Sequence, residues 1–132
     1  MKNKPFKILV TDDDQKISFM IASILRRDGF TVVVAKDAIE AVRLFAIKPD
    51  YFDVLITDHE MPMVSGLDLV AHLRANDVQV KVIVMSGALT EELLRAYRSR
   101  HVGYILQKPF MPVHLSSTVN NILGPRDEAL LA

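Results

Sequence analysis

The chain contains no cysteine and no tryptophan. Without cysteine there is no disulfide framework and no thiolate metal site. A reducing, cytoplasmic location suits such a chain. Without tryptophan, the usual fluorescent reporter of ligand binding is missing. Net charge is absent too, because 16 Lys and Arg balance 16 Asp and Glu. A neutral domain has no general electrostatic pull toward nucleic acid or a membrane surface. That argues against direct DNA binding by this segment. Long apolar runs are also lacking. The stretch after Met1-Lys2-Asn3-Lys4-Pro5 reaches Asp12 too soon for a signal peptide or a membrane span.

What is present is an alternation. Half of the 132 residues are hydrophobic, which supplies one core and leaves little chain for a second domain. Neither an internal repeat nor a low-complexity segment interrupts it. Short β-branched runs at residues 7–11, 31–35, 54–57, 80–85 and 104–106 are almost continuously apolar, as strands buried on both faces are. Helical spacing fills the gaps. Ile17, Ile21, Ile24 and Leu25 share a face of a first helix that stops near Gly29. Asp37 and Glu40 form a capping-box pattern before a second helix that ends ahead of Pro49. Ser65 and Gly66 precede a third helix, with Leu67, Val70 and Leu73 on one side. Thr90 is placed to cap a fourth, with Glu91 and Glu92 suiting its positive end. Pro112 suits the first turn of a fifth, where Leu115, Val119, Ile122 and Leu123 repeat helically.

Five βα units in series predict a doubly wound α/β fold with a five-stranded parallel sheet. Crossovers are right-handed, and ligands collect at the carboxyl ends of the strands where the winding reverses. Residues 1–124 are expected to form the domain. Residues 125–132, after Gly124, are expected to be a tail or the start of a linker.

The strands sort the polar residues. Asp12 and Asp13 follow the first strand, Asp58 ends the third, Ser86 ends the fourth and Lys108 follows the fifth. All are predicted to meet at one sheet edge. Crowded carboxylates raise one another's pKa, and a hard divalent cation relieves that repulsion. Mg²⁺ takes oxygen ligands at roughly 2.0–2.1 Å and usually keeps waters, so two or three carboxylates suffice. A cation held there also neutralises an incoming phosphoryl group. Lys108 offers a fixed positive charge and Ser86 a hydroxyl donor. One carboxylate remains as nucleophile.

At these residues the sequence resembles the receiver domain of bacterial response regulators, over about residues 6–123. Four motifs stand in the family's order. They are Ile8-Leu9-Val10-Thr11-Asp12-Asp13-Asp14, Leu55-Ile56-Thr57-Asp58-His59-Glu60-Met61-Pro62 followed by Gly66, Val82-Ile83-Val84-Met85-Ser86-Gly87, and Lys108-Pro109-Phe110. The resemblance implies a flavodoxin-like (βα)5 fold with strand order 2-1-3-4-5. It implies Asp58 as phosphoacceptor and Asp13 as direct metal ligand, with Asp12 assisting through water. Asp58 itself and the backbone carbonyl of Glu60 complete that ligand set. The metal would be Mg²⁺, with Mn²⁺ able to replace it. Ser86 and Lys108 would bind phosphoryl oxygens, and the Lys108-Pro109 bond is cis in relatives. Implied partners are a sensor histidine kinase or histidine phosphotransfer protein, then an effector protein or output domain. A homodimer through the fourth helix, fifth strand and fifth helix is a further implication.

Two departures stand out. Relatives often carry Tyr or Phe three residues before the lysine, where this sequence has Ile105. Tyr104 lies one place earlier, so its side chain is expected on the opposite face of the strand. His101 stands where relatives often carry Gly.

Blander roles compete for the same residues. Asp12, Asp13 and Asp14 suit a helix cap, and Asp14 is assigned to it. His59, His72, His101 and His114 lack ligand-like spacing and are expected at surface or satisfied positions, with His59 singled out beside Asp58. Met61, Met63, Met85 and Met111 are expected to fill gaps. Arg95, Arg98 and Arg100 are expected on a solvated face, or with Tyr97 and Tyr104 on a partner surface. Two other functions fit parts of the pattern. One is a receiver-like interaction module that acts without phosphorylation. The other is a haloacid-dehalogenase-type phosphatase built on Asp12-Asp13-Asp14. Against the latter, Lys16 stands where Thr or Val is usual, and residues 58–66 go unexplained.

Overall fold

The apolar runs form strands and the periodic segments form helices in a computed structural model that describes residues 5–124. The stretch expected as a tail or linker lies outside the described residues. The strands are β1 (Lys7–Thr11), β2 (Thr31–Ala35), β3 (Val54–Asp58), β4 (Lys81–Ser86) and β5 (Tyr104–Gln107). The helices are α1 (Gln15–Arg27), α2 (Ala38–Ile47), α3 (Gly66–Ala75), α4 (Glu91–Arg98) and α5 (Pro112–Leu123). All pairings are parallel and the sheet order is β2-β1-β3-β4-β5. This is the expected doubly wound order.

The strands run slightly past their apolar residues. Asp58 pairs with Met85 and Ser86 with Gln107, so the ladder carries polar residues to its end. Val80, expected to open β4, falls outside it. Its carbonyl accepts from Arg74 Nη1 at 2.9 Å instead. The same guanidinium donates to Val78 O and, through Nε, to Arg100 O, both at 2.9 Å. Arg74 therefore joins α3, the entry to β4 and the segment after α4.

Side-chain alternation splits the core into two layers. Leu9, Leu55, Val82 and Val84 face Phe45, Leu69, Leu73 and Tyr97 from α2, α3 and α4. Ile8, Val10, Ile56 and Ile83 face Ile21, Leu25, Leu115 and Val119 from α1 and α5. Of the four methionines expected as gap-fillers, Met61 and Met85 are buried. Met63 and Met111 are 94 % and 62 % exposed, because each sits on a loop beyond a strand end.

Most helix starts follow their capping residues. Asp14 accepts from Lys16 N and Ile17 N, as assigned. Thr90 accepts from Leu93 N. Ser65 and Asp68 form a reciprocal box. Around α2 the expected box is half made: Asp37 accepts from Glu40 N, but the Glu40 carboxylate turns to Lys36 N.

Three helices end alike. After α1, Phe30 N donates to Leu25 O and Gly29 N to Arg26 O. After α3, Val78 N donates to Leu73 O and Asp77 N to Arg74 O. After α4, Val102 N donates to Tyr97 O and His101 N to Arg98 O. This is the Schellman pattern, which needs a left-handed residue at its turn. Gly29, Asp77 and His101 hold that position with φ of 97°, 61° and 63°. Histidine strains there where glycine does not. His101→Gly is expected to stabilise the fold by about 0.5–1 kcal/mol, because lost strain exceeds the added unfolded-state entropy. Chemical denaturation of the two proteins checks this, and a less stable glycine variant would refute it.

Candidate functional site

Parallel strands finish at one edge, and that edge gathers the expected residues. Asp58 closes β3, Ser86 closes β4, Asp12 follows β1 and Lys108 follows β5. Lys108 Nζ lies 3.0 Å from Asp58 Oδ1 and 3.7 Å from Asp12 Oδ2. One carboxylate oxygen from each of Asp12, Asp13 and Asp58 lies within 4.8 Å of the other two. Asp12 and Asp58 are buried, and Asp13 is exposed at the mouth. The Lys108-Pro109 bond is cis.

The electrostatics follow from burial. Loss of solvent pushes Asp12 up to about 6, aided by Asp58 and Asp13 and opposed by the Asp14 N–H and Lys108. Burial likewise raises Asp58, against the lowering pull of Lys108. Burial works against the Lys108 charge, but Asp58, Asp12 and Glu60 outweigh it and raise its pKa. Asp12 Oδ2 and Asp58 Oδ1 are buried and meet only this ammonium, Asp58 at contact distance and Asp12 across a 3.7 Å ion pair without a hydrogen bond. One cation thus faces three carboxylates. Hard oxygen donors, two of them orphaned and one open to solvent, fit a divalent cation of the Mg²⁺ type.

A folded-state pKa above the unfolded value means that the native state binds its proton more tightly. Stability therefore falls as pH rises from about 4 to about 6, for an Asp12 shifted from 3.8 to about 6. Asp12→Asn removes that cost. Without divalent cation it is expected to raise stability at pH 7 by about 1–3 kcal/mol, and to lose most of the stabilisation that added Mg²⁺ gives wild type. Thermal melts with and without Mg²⁺ check both halves. Equal Mg²⁺ stabilisation of both proteins would remove Asp12 from the cation site.

Ser86 is fully buried, and its hydroxyl donates to Glu60 Oε2 at 2.8 Å. Gly87 N donates to the other Glu60 oxygen at 3.1 Å. Burial would push the Glu60 carboxyl up, but these two donors overcome it and hold it below its ordinary value. Expectation placed only the backbone carbonyl of Glu60 near the site. The side-chain role depends on how residues 59–66 fold back, which strand periodicity does not reveal.

Tyr97 is the larger correction. It is the only buried residue of α4, not part of a surface with Arg95 and Arg98, which are exposed. Arg100 is half-buried and bonds Ala96 O. Tyr97 lies on the helix face that Leu93 and Leu94 also mark, a spacing that the flanking Arg95 and Arg98 disguise. Its hydroxyl shares a 2.7 Å hydrogen bond with His59 Nδ1. Burial raises the phenol pKa and keeps it protonated. His72, His101 and His114 are exposed, as expected, and His59 is half-buried beside Asp58. Ile105 packs toward the α2–α4 layer, whereas the Tyr104 hydroxyl turns to Asn121 O on α5. The two residues therefore take opposite faces, as expected.

Comparison with known proteins agrees with this geometry. Residues 8–120 match the family model of the response regulator receiver domain. A relative named "Probable transcriptional regulator ycf29" from Pyropia yezoensis is 33 % identical over 122 residues. That match covers 90 % of this chain and 54 % of the relative, so this chain spans about half its length. Chemotaxis protein CheY-3 of Vibrio cholerae is 31 % identical over 125 residues, covering 91 % of this chain and 93 % of that one. A crystallised receiver domain protein from Clostridium thermocellum superposes with a TM-score of 0.82 at 30 % identity, covering 96 % of this chain and 99 % of that one. Fold, edge cluster and sequence thus converge, and the chain belongs to the response regulator receiver domain family.

Proposed function

We propose that this chain is a phosphorylation-switched receiver of a two-component system or phosphorelay, with Asp58 as its phosphoacceptor. The observation that carries this reading is the Lys108 ammonium 3.0 Å from a buried Asp58, inside a cluster of three carboxylates. The donor is a phosphohistidine on a sensor kinase or phosphotransfer protein. A new P–O bond forms at the Asp58 carboxylate as the P–N bond breaks, and the departing imidazole nitrogen takes the electron pair. Asp12, Asp13, Asp58 and the Glu60 backbone carbonyl hold Mg²⁺ or Mn²⁺. When bound, that ion supplies positive charge against the phosphoryl oxygens. Lys108 pairs with one of those oxygens and Ser86 donates to another, once it leaves Glu60. The chain accelerates only its own phosphorylation and dephosphorylation, so it acts as a switch and not as a metabolic enzyme. Its output passes to an effector protein or output domain. Among the described residues no helix is long and apolar enough to cross a membrane.

The phosphatase reading loses its second carboxylate. Asp14 commits its side chain to Lys16 N and Ile17 N at the start of α1. The experiment is a mass measurement after incubation with Mg²⁺ and acetyl phosphate, followed by mapping of the modified residue. The expected result is one phosphoryl group on Asp58. A label on Asp12 would favour the phosphatase. No label with any phosphodonor would favour an interaction module that works unphosphorylated.

A further inference from the structure

Ile105 leaves the fifth strand without an aromatic ring at its inward position. An aromatic ring lies in the same core layer all the same, on α4. Tyr97 is fully buried there among Leu69, Val84 and Val102, with Ile105 packed against the same layer. It is the only fully buried residue of α4, with the half-buried Leu93 packed against the same layer one turn earlier. The Tyr97 carbonyl also closes the helix by accepting from Val102 N at 3.0 Å. The phenol meets the imidazole of His59 edge to face, with centroids 5.6 Å apart and the bond of 2.7 Å between hydroxyl and Nδ1. His59 is the residue next to Asp58. The residue after it, Glu60, holds Ser86 and Gly87. Two consecutive residues following Asp58 therefore grip the end of β4, through Ser86 and Gly87, and the last turn of α4, through Tyr97.

We infer that Tyr97 is a positioning residue that reports the state of Asp58 to α4: its bond to His59 holds the helix while Asp58 is free and opens when Asp58 carries a phosphoryl group. This rests on the phosphorylation proposed above. A phosphoryl group adds about two negative charges at Asp58. The Glu60 carboxylate is repelled, while Ser86 is drawn to the new oxygens. Displacing Glu60 moves His59, its chain neighbour. A hydrogen bond at 2.7 Å weakens steeply once its atoms shift by a few tenths of an ångström or turn off line. The helix then loses the one polar tie that its buried side chain makes.

The test follows amide hydrogen exchange across α4, with Mg²⁺ and beryllium fluoride standing in for the phosphoryl group. Wild-type α4 is expected to exchange about fivefold faster when beryllium fluoride is added, the effect of one such bond. Tyr97→Phe keeps the ring and removes only the hydroxyl. It is expected to exchange fast from the outset, to change less than twofold on addition, and to take up phosphoryl from acetyl phosphate within twofold of wild type. His59→Leu breaks the same bond from the other side and is expected to flatten the α4 response equally, so it decides the matter if Tyr97→Phe does not fold. A merely structural tyrosine would lower protection in both states and leave their ratio intact. A full fivefold response in the folded variants would overturn the inference, as would a wild-type α4 that ignores beryllium fluoride while Asp58 gains mass. A wild-type protein that gains no mass on Asp58 would overturn the phosphorylation reading and this inference together.

Discussion

Asp58→Asn is expected to cut phosphoryl uptake from acetyl phosphate by at least about a thousandfold, with the fold retained. Asparagine matches aspartate in size and keeps an oxygen beside Lys108. The amide, however, lacks the full negative charge that makes a carboxylate oxygen attack phosphorus. Folding should survive, because the change also removes one of the three crowded carboxylates and so relieves Asp12. The Lys108 pKa, raised by Asp58 first among its partners, should drop toward that of an ordinary lysine. Mass measurement reads the first effect and circular dichroism checks the fold. Uptake at wild-type speed with the label on Asp58's neighbours would move the nucleophile elsewhere in the cluster.

Gly66→Ala is expected to damage stability and chemistry together. A Cβ at Gly66 would lie 2.5 Å from the Asp58 carbonyl, 2.8 Å from the Tyr97 hydroxyl and 3.0 Å from His59 Cα. Two of those three atoms are backbone and cannot swing aside as a side-chain tip can. Residues 59–66 have little slack, since Gly66 N donates to His59 O at 3.0 Å. Overpacking of this kind costs about 1–3 kcal/mol. Because the displaced atoms belong to Asp58 and its neighbour, phosphoryl uptake should also slow by roughly tenfold or more, as misplaced reacting groups do. Gly103→Ala is the control, since nothing lies within 4 Å of its added carbon. Denaturation and uptake rates measured side by side would decide. Wild-type stability and rate in Gly66→Ala would show that the loop yields freely.

What could be read ahead from the residues, and what could not, divides along physical lines. Strand periodicity and end position located Asp12, Asp58, Ser86 and Lys108 correctly, because parallel strands share one carboxyl edge whatever their loops do. Asp14 was legible as a cap because its role is local. The Glu60 side chain was not legible, since its contact with Ser86 spans two strand ends and depends on loop path. Tyr97 was hidden by its neighbours, for a helix as polar as α4 reads as solvated until packing chooses its inner face. Gly29 marked where α1 stops, whereas Asp77 and His101 take the same left-handed turn without glycine's signature. Exposed Met63 and Met111 show the converse, since apolar character alone does not set burial on a loop.

Arg74 has a mechanical consequence. By holding Arg100 O at 2.9 Å it fixes the chain just beyond the carboxyl end of α4. Among the described residues no guanidinium holds the amino end in this way, and Glu91 and Glu92 there are exposed. The helix is thus a lever with its fulcrum beside Arg74 and Tyr97 and its free tip near Thr90. Eight residues make that lever about 12 Å long. A rotation of about 10° at the fulcrum carries the tip about 2 Å, by the geometry of a rise of about 1.5 Å per residue. A shift of a few tenths of an ångström beside Asp58 would then leave the domain as a displacement several times larger.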